Sequence, residues 1–227
     1  MSRSVSTISR NCSAGAEETR VIRLREYRKA DLPELYRISV MTGDGGGDAR
    51  HLYRDPDLIG HIYVGPYAEC APELCFVAED DLGIAGYVVG TADTRPFEVQ
   101  LERDWWPALR ARYPDPGAVL PPDSDADTKR AHRIHHTAVI PDAVVAEHPG
   151  HLHMNLLPRL QRRGVGSRLL ERWFAAAREA GAERVHVGVN PGNPGGLAFW
   201  QRAGFERIAL PPADDSGRAI WLGRPVP

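Results

Sequence analysis

The sequence predicts an α/β fold, and three patterns along the chain carry that prediction. In the last third, short apolar runs alternate with amphipathic stretches, as expected of strands that alternate with helices. In the middle, apolar runs at 74–78 and 84–90 flank a turn at 80–83, which predicts a β-hairpin. Residues 164–180 begin with a glycine-containing turn and continue at helical spacing, which predicts a long amphipathic helix. Such elements pack as a sheet covered by helices.

The first half of the chain supplies a strand, two helices, the hairpin and a third helix. A loosely alternating run at 21–25 predicts the first strand. Asp31 begins a helix, and the glycine-rich loop at 42–48 ends it. A shorter helix is predicted from about residue 56 to residue 63 and, after the hairpin, one continuous helix over 97–112.

The second half begins with a long excursion and then becomes regular. Residues 113–150 hold many of the 19 prolines and little apolar periodicity, which indicates a functional or mobile insertion with one short helix after Ser124. The later elements alternate, with strands predicted at 151–157, 184–189, 205–210 and 219–222 and helices at 164–180 and 197–202. We therefore expect residues 21–227 to form a single domain that carries 113–150 as its inserted excursion.

Composition excludes several classes of function. Lys and Arg number 28 against 30 Asp and Glu, for a net charge of −2, so no binding face for nucleic acid or for a membrane surface is expected. No apolar run approaches the roughly 18 residues that span a membrane. The three cysteines lack Cys-x-x-Cys spacing, and His132, His135 and His136 fit a solvated helix face, so no metal site is predicted.

The N-terminal segment differs from the rest of the chain. Residues 1–20 are polar and lack the apolar core of a secretory signal. We expect them to form a disordered leader and the protein to be cytoplasmic. The sequence leaves a homodimer open.

The turn before the helix at 164–180 is the segment most informative about chemistry. A strand ends near Pro158, and the basic sequence Gln161-Arg162-Arg163-Gly164-Val165-Gly166-Ser167 follows it. Free N–H groups and the helix dipole make a helix start an anion site, and glycines let the backbone approach a phosphate closely. The turn therefore predicts a pyrophosphate cradle, with positive charge from Arg159, Arg162, Arg163 and Arg168. It is neither a Walker A loop nor a full dinucleotide fingerprint.

A second informative segment lies downstream and reads Asn193-Pro194-Gly195-Gly196-Leu197-Ala198-Phe199-Trp200-Gln201-Arg202-Ala203-Gly204-Phe205. Together with Gln161-x-x-Gly164-x-Gly166, it resembles the two motifs of the GNAT acetyltransferase superfamily in order and spacing. Stretches at 58–67, 85–90, 93–94, 105–107 and 151–153 are similar to one GNAT branch. That branch includes the acetyltransferase-like C-terminal domain of O-GlcNAcase and its free-standing bacterial relatives. The resemblance implies a mixed, twisted central sheet, splayed at the cofactor-binding strand and flanked by helices.

The resemblance also implies that acetyl-CoA is the acyl donor, and it implies which residues hold it. The backbone at Met154–Leu157 should pair with the pantetheine arm, and Arg162–Ser167 should hold the pyrophosphate. Asn193 should contact the cofactor from the other side. The implied cofactor-binding residues are Met154, Leu156, Leu157, Gln161, Arg162, Arg163, Gly164, Val165, Gly166, Ser167, Asn193, Gly196, Phe199 and Trp200.

Residues for general base catalysis are expected on the strand before the cradle. His151, His153 and Asn155 alternate along that strand and so share one face. A histidine titrates near neutrality and relays a proton directly or through water. We expect His151 to be the base, with His153 as the next candidate. The pair also looks like the paired histidines of aralkylamine N-acetyltransferases.

The general acid departs from the family pattern. Many GNAT enzymes carry a tyrosine where this sequence has Trp200, and an indole N–H is no useful acid at neutral pH. Either Tyr63, Tyr67 or water takes that role, or the thiolate leaves unassisted. The alternative function is a non-catalytic module that binds acetyl-CoA or another protein.

The acceptor is expected to be an amine of a small molecule or a peptide. Carboxylates beside aromatic rings would suit a cationic amine, although Asp44 is better explained as a turn residue. The candidate lining residues are Asp44, Tyr63, Tyr67, Asp93, Asn155 and Trp221.

Overall fold

One mixed sheet organises the part of the chain that the structure describes. The computed structural model describes residues 21–212 and 216–227, so the predicted leader at 1–20 lies outside the described residues. The strands are β1 (Arg23–Glu26), β2 (Cys75–Asp80), β3 (Gly83–Thr91), β4 (Gly150–Leu156), β5 (Arg184–Val189), β6 (Glu206–Arg207) and β7 (Ile220–Pro225). Their order in the sheet is β1-β2-β3-β4-β5-β7-β6. β4 and β5 are parallel, and every other neighbouring pair is antiparallel.

Helices cover both faces of the sheet. They are α1 (Leu32–Met41), α2 (Leu58–Tyr63), α3 (Gly65–Cys70), α4 (Thr94–Asp104), α5 (Trp106–Arg112), α6 (Ala126–His135), α7 (Asp142–Val145), α8 (Val165–Glu179) and α9 (Pro194–Arg202). Across the described ranges, every helix is too short or too polar to cross a bilayer. The predicted α/β class, with a mixed sheet flanked by helices, is confirmed.

The prediction of one continuous helix over 97–112 is wrong. The chain forms α4 and α5, which are separated at Trp105. The second residue of α5 is Pro107, which lacks an N–H and whose ring clashes with a preceding helical turn. The indole of Trp105 uses this break, because its Nε1 donates to the carbonyl of His61 at 3.0 Å.

The excursion at 113–150 folds into two helices, α6 and α7, where the sequence predicts one. Asp125 caps the start of α6 with its side chain. Asp127 accepts hydrogen bonds from the backbone N–H groups of Arg54 and Asp55 at 3.1 and 3.0 Å. Because α6 also packs on α2 and α5, its side chains have defined positions beside α2.

The two faces of β4 meet different helices. Side chains of the odd-numbered residues from His151 to Asn155 lie on one face, where they contact residues of α2, α3 and α4. On the other face, Trp173 of α8 packs against Gly90, whose neighbour on β4 is Leu152. The predicted base histidines and the body of α8 therefore lie on opposite faces of β4, whereas the start of α8 lies beside Leu156 at the end of that strand.

β4 and β5 separate after two pairs of residues. They are paired in parallel at Gly150 with Val185 and at His151 with His186. Beyond His151, β4 keeps its pairing with β3 as far as Leu156, whereas β5 continues beside β7. The two strands thus open a cleft between them, and the splay that the resemblance implies is confirmed.

Candidate active site

The open edge of β4 offers backbone groups to a ligand. The N–H of Leu157 donates to the carbonyl of Ala85 at 2.8 Å, which makes the odd-numbered residues of β4 those that hydrogen-bond to β3. Met154 and Leu156 therefore direct their backbone groups into the cleft. The carbonyl of Leu156 accepts from the side-chain amide of Gln161 at 2.8 Å, so Met154 and the N–H of Leu156 are left for a ligand. The N–H of Leu157 is engaged, which favours Met154 and Leu156 over Leu157 as cofactor contacts.

A group of backbone N–H donors lies at the start of α8. Gly164 precedes the helix with a left-handed φ of 72°, and no side chain caps the helix start. The first helical hydrogen bond runs from the N–H of Arg168 to the carbonyl of Gly164 at 3.2 Å. The N–H groups of Val165, Gly166 and Ser167 come before that bond and have no helical acceptor. This geometry binds an anion through backbone donors and the helix dipole.

Basic side chains surround this helix start. Arg162 and Arg163 are exposed, and no described carboxylate pairs with either of them. Arg162 holds a φ of 58°, a left-handed conformation that is strained for a residue with a Cβ. The expectation that Arg159 adds to this charge is wrong, because its Nε pairs with the fully buried carboxylate of Asp80 at 3.0 Å.

The cofactor contacts predicted from α9 have partners within the protein. Asn193 caps α9, because its Oδ1 accepts from the N–H of Gly196 at 2.8 Å. Phe199 flanks the start of α8, where a Cβ on Gly166 would lie 2.9 Å from its ring. Trp200 is 8 % exposed and packs against Phe199, with ring centroids 5.0 Å apart. As cofactor contacts these residues stay predictions.

One hydroxyl group joins the two candidate base histidines. Tyr67 Oη lies 2.7 Å from Nε2 of His151 and 3.0 Å from Nε2 of His153. On the far side of the His151 ring, Nδ1 lies 2.7 Å from the hydroxyl of Thr94, which donates to the carbonyl of Pro149. His151 therefore donates from Nδ1 and accepts at Nε2 from Tyr67, which in turn accepts from the Nε2–H of His153. Nδ1 of His153 is then the unprotonated, basic nitrogen.

Burial keeps these groups uncharged at neutral pH. His151 is 6 % exposed, and burial, followed by the neighbouring imidazoles, lowers its pKa well below 6.5. Burial and then the charge of Arg133 lower the pKa of the partly exposed His153 to about 4. Burial raises the pKa of Tyr67 far above its ordinary value. The proton positions that the hydrogen bonds require are thus those of neutral rings and an intact phenol.

A third histidine, which sequence reasoning missed, completes the group. His186 stands opposite His151 at the last paired position of β4 and β5, with ring centroids 5.4 Å apart. Its Nδ1 donates to the carbonyl of His148 at 2.6 Å, and its buried Nε2 has no partner among the described residues. Burial lowers its pKa to about 4. We refer to His151, His153 and His186 as the histidine cluster.

Three of the predicted acceptor residues lie beside the histidine cluster, as does Tyr67. The ring centroid of Tyr63 is 5.6 Å from that of His153, and the ring centroid of Trp221 is 5.6 Å from that of His186. Asn155 follows on the same face of β4, where its amide contacts the hydroxyls of a tyrosine on β3 and of the threonine after α1. The fold therefore brings these four predicted residues together.

The two predicted carboxylates do not join this group. Asp93 is exposed and caps the start of α4, and Asp44 is exposed in the loop after α1. As acceptor contacts both stay predictions. Instead, α6 places Arg130 and Arg133 over the Tyr63 ring, with guanidinium carbons 5.5 and 5.7 Å from its centroid. No spacing in the sequence signals this contact, because it depends on how the excursion packs.

Comparison with known proteins assigns the family. The family model described as the Acetyltransferase (GNAT) family matches residues 48–205, and the chain belongs to this family. It is 26 % identical over 197 residues to Protein O-GlcNAcase of Rattus norvegicus and to that of Mus musculus, in matches that cover 84 % of this chain. The chain spans 21 % of the length of these curated relatives. The solved structure of SsHAT has a TM-score of 0.81 and 35 % identity, and the match covers 91 % of this chain and 98 % of that one.

Proposed function

We propose that this chain is an N-acetyltransferase that moves the acetyl group of acetyl-CoA to an amine by direct attack while both substrates are bound. The amine belongs to a small molecule or a peptide. The observation that carries this proposal is the convergence of an open strand edge, an uncapped helix start and a neutral imidazole on one cleft. We also propose that residues 21–227 act as one domain, because a single sheet joins β1 to β7.

The residues of the cleft fit acetyl-CoA at two points. Met154 and Leu156 present backbone groups at the open edge of β4, which suits the amides of a pantetheine arm. The N–H groups at the start of α8 suit a pyrophosphate, and a Cβ on Gly164 would meet no protein atom within 4 Å, so the approach is open. When bound, acetyl-CoA supplies an activated acetyl thioester.

His153, more than His151, is placed to take the proton of the attacking amine. His151 has both ring nitrogens engaged by buried hydroxyl groups, whereas His153 is partly exposed and keeps Nδ1 unprotonated. A proton accepted at Nδ1 of His153 is stabilised by the hydrogen bond from its Nε2–H to Tyr67 Oη, which itself donates to Nε2 of His151. We therefore assign His153 as the base and His151 as the positioning residue behind it.

A non-catalytic acetyl-CoA-binding module is the second candidate, and the environment of Trp200 favours it. The indole packs into the core where other GNAT enzymes hold a tyrosine, so this position gives no acid to the leaving thiolate. Catalysis nevertheless stays compatible with the site. A thiolate whose thiol has a pKa of about 8.5 is a weak base, so it can leave and then take its proton from water.

The binding part of the proposal is tested by calorimetry with acetyl-CoA on matched glycine variants. Gly164→Ala and Gly181→Ala both place a Cβ at positive φ in open space, the first at the start of α8 and the second just after its end. Each should cost about 1 kcal/mol of stability. Acetyl-CoA affinity should fall at least tenfold in Gly164→Ala and stay unchanged in Gly181→Ala. Equal affinities in the two variants would contradict the cradle assignment.

The catalytic part is tested by thiol release with a panel of amines. His153→Gln should lower kcat at least tenfold while the Kd for acetyl-CoA stays the same, because general base catalysis contributes about 10²–10⁴-fold. His136→Gln is the control, because this histidine follows the end of α6 and contacts Asp115 rather than the histidine cluster. Acetyl-CoA binding without thiol release for any amine would support the non-catalytic alternative. An unchanged rate in His153→Gln would show that the base lies elsewhere.

A further inference from the structure

Two arginines of α6 lie beside the histidine cluster without a carboxylate partner in the described ranges. The Nε of Arg130 donates to the hydroxyl of Tyr53 at 3.0 Å, and its Nη1 lies 3.4 Å from the hydroxyl of Tyr63. Arg133 makes no hydrogen bond and no ion pair with the described residues, and its guanidinium carbon lies 5.7 Å from the Tyr63 ring centroid. Both side chains are half-buried.

Of the other six half-buried arginines among the described residues, five are paired with acids, and the sixth, Arg224, donates to two backbone carbonyls. Carboxylates hold the guanidinium groups of Arg25, Arg37, Arg95, Arg110 and Arg159. Partial burial of a charge is costly unless a counter-charge or hydrogen bonds compensate it. Arg133 has neither an acid nor a hydrogen bond among the described residues, so its guanidinium group is available to an anion from outside them.

The position of these arginines connects them to the reaction. Tyr63 contacts both the arginines and the base, because its ring centroid also lies 5.6 Å from that of His153. Their helix is anchored, because Asp127 holds the backbone after Tyr53 and α6 packs against α2. An amine at His153 and an anion at Arg133 would thus both lie beside the Tyr63 ring.

We propose that the acceptor is a small amine that also carries an anionic group, a carboxylate or a phosphate, and that Arg130 and Arg133 bind this group. The inference rests on the proposed acetyltransferase function and narrows its substrate class. A guanidinium presents a planar fork of N–H donors that matches carboxylate and phosphate oxygens, and Tyr63 adds a hydroxyl. The excursion then determines specificity, because it carries both arginines on α6.

The experiment compares acceptors that differ in the anion alone. Thiol release is measured with β-alanine against its methyl ester, and with phosphoethanolamine against ethanolamine. The wild-type protein should favour the anionic member of at least one pair, and the pair it favours distinguishes carboxylate from phosphate. Arg133→Gln should lower kcat/KM for that member about tenfold to a hundredfold and leave the neutral member nearly unchanged. Arg133→Lys should restore part of the loss.

Lys129→Gln is the matched control, because it removes one positive charge from an exposed position of the same helix. It should leave every rate unchanged. If anionic and neutral acceptors react equally and Arg133→Gln changes neither, the inference is overturned while the acetyltransferase function stands.

A binding measurement keeps the inference separable from catalysis. Calorimetry of the acetyl-CoA-loaded protein with N-acetyl-β-alanine and with inorganic phosphate requires no turnover. Binding that Arg133→Gln abolishes and Lys129→Gln preserves would support the anion site, even where no amine is acetylated. Absence of binding at millimolar concentration of both probes would overturn it.

Discussion

Replacing Tyr67 by phenylalanine removes one oxygen atom from the centre of the site and leaves its packing in place. The ring stacks on Phe97 with centroids 4.9 Å apart, and phenylalanine retains that stack. The hydroxyl that is lost holds Nε2 of His151 at 2.7 Å and Nε2 of His153 at 3.0 Å. The substitution therefore removes the hydrogen bonds of this hydroxyl without disturbing the packing of the ring.

The expected loss follows from the number of nitrogen atoms left without a partner. A polar group that is buried and unsatisfied costs about 1–3 kcal/mol. Two imidazole nitrogens lose their partner together, but the one on His153 belongs to a partly exposed ring and costs less, so Tyr67→Phe should lower the free energy of unfolding by about 2–4 kcal/mol. Tyr36→Phe is the matched control, because the Tyr36 hydroxyl makes one hydrogen bond to a histidine, Nδ1 of His61 at 3.0 Å. Its cost should be about half as large.

Urea denaturation of the two variants at pH 7.5 measures this difference, with the m value as the check that both unfold in the same way. The Tyr67 variant should also transfer acetyl groups more slowly at unchanged acetyl-CoA affinity, and the Tyr36 variant should not. Equal destabilisation in the two variants, or a loss below about 1 kcal/mol for Tyr67→Phe, would refute the reasoning that one hydroxyl satisfies both rings.

Three further predictions concern stability. Because burial lowers the pKa values of the histidine cluster below 6.5, the unfolded chain binds more protons than the folded one in acid. The free energy of unfolding should therefore fall from pH 6.5 towards 4 by ~1.4 kcal/mol per pH unit for each histidine, in urea titrations across that range. Arg162→Gly should gain up to about 1 kcal/mol in thermal unfolding, since it relieves a positive φ. Arg159→Leu should cost about 3 kcal/mol in the same assay, because it removes a cation that contacts the buried carboxylate of Asp80.

The sequence predicts correctly those helices and strands whose bounds depend on residues close together in the chain. The bounds of β5 match the predicted strand at 184–189, and α8 lies within the predicted helix, because hydrophobic period and glycine position are read within a few residues. The break at Trp105 had a local signal in the following proline.

The arrangement of the site had no such signal. Tyr67 and His151 are separated by 84 positions in the sequence and meet through the packing of α3 on the sheet. His186 joins them through the pairing of β4 with β5, and Arg133 through the packing of α6. Residue type could single out the paired histidines as catalytic candidates. It could not show that His151 has hydrogen bonds at both ring nitrogens, because the hydroxyls of Tyr67 and Thr94 reach it only in the folded protein.

The low pKa of His153 bears on when the proton leaves the acceptor amine. An aliphatic amine has a pKa of about 10.4 and this imidazole one of about 4, so taking a proton from a free ammonium ion is uphill by roughly 9 kcal/mol. Once the nitrogen has begun to bond to the acetyl carbon, its N–H becomes strongly acidic, and a weakly basic imidazole is sufficient. The amine must therefore enter unprotonated and lose its proton after attack begins. An anion bound at Arg133 would offset a charge that lowers the pKa of His153, so an anionic acceptor would strengthen the base as it binds.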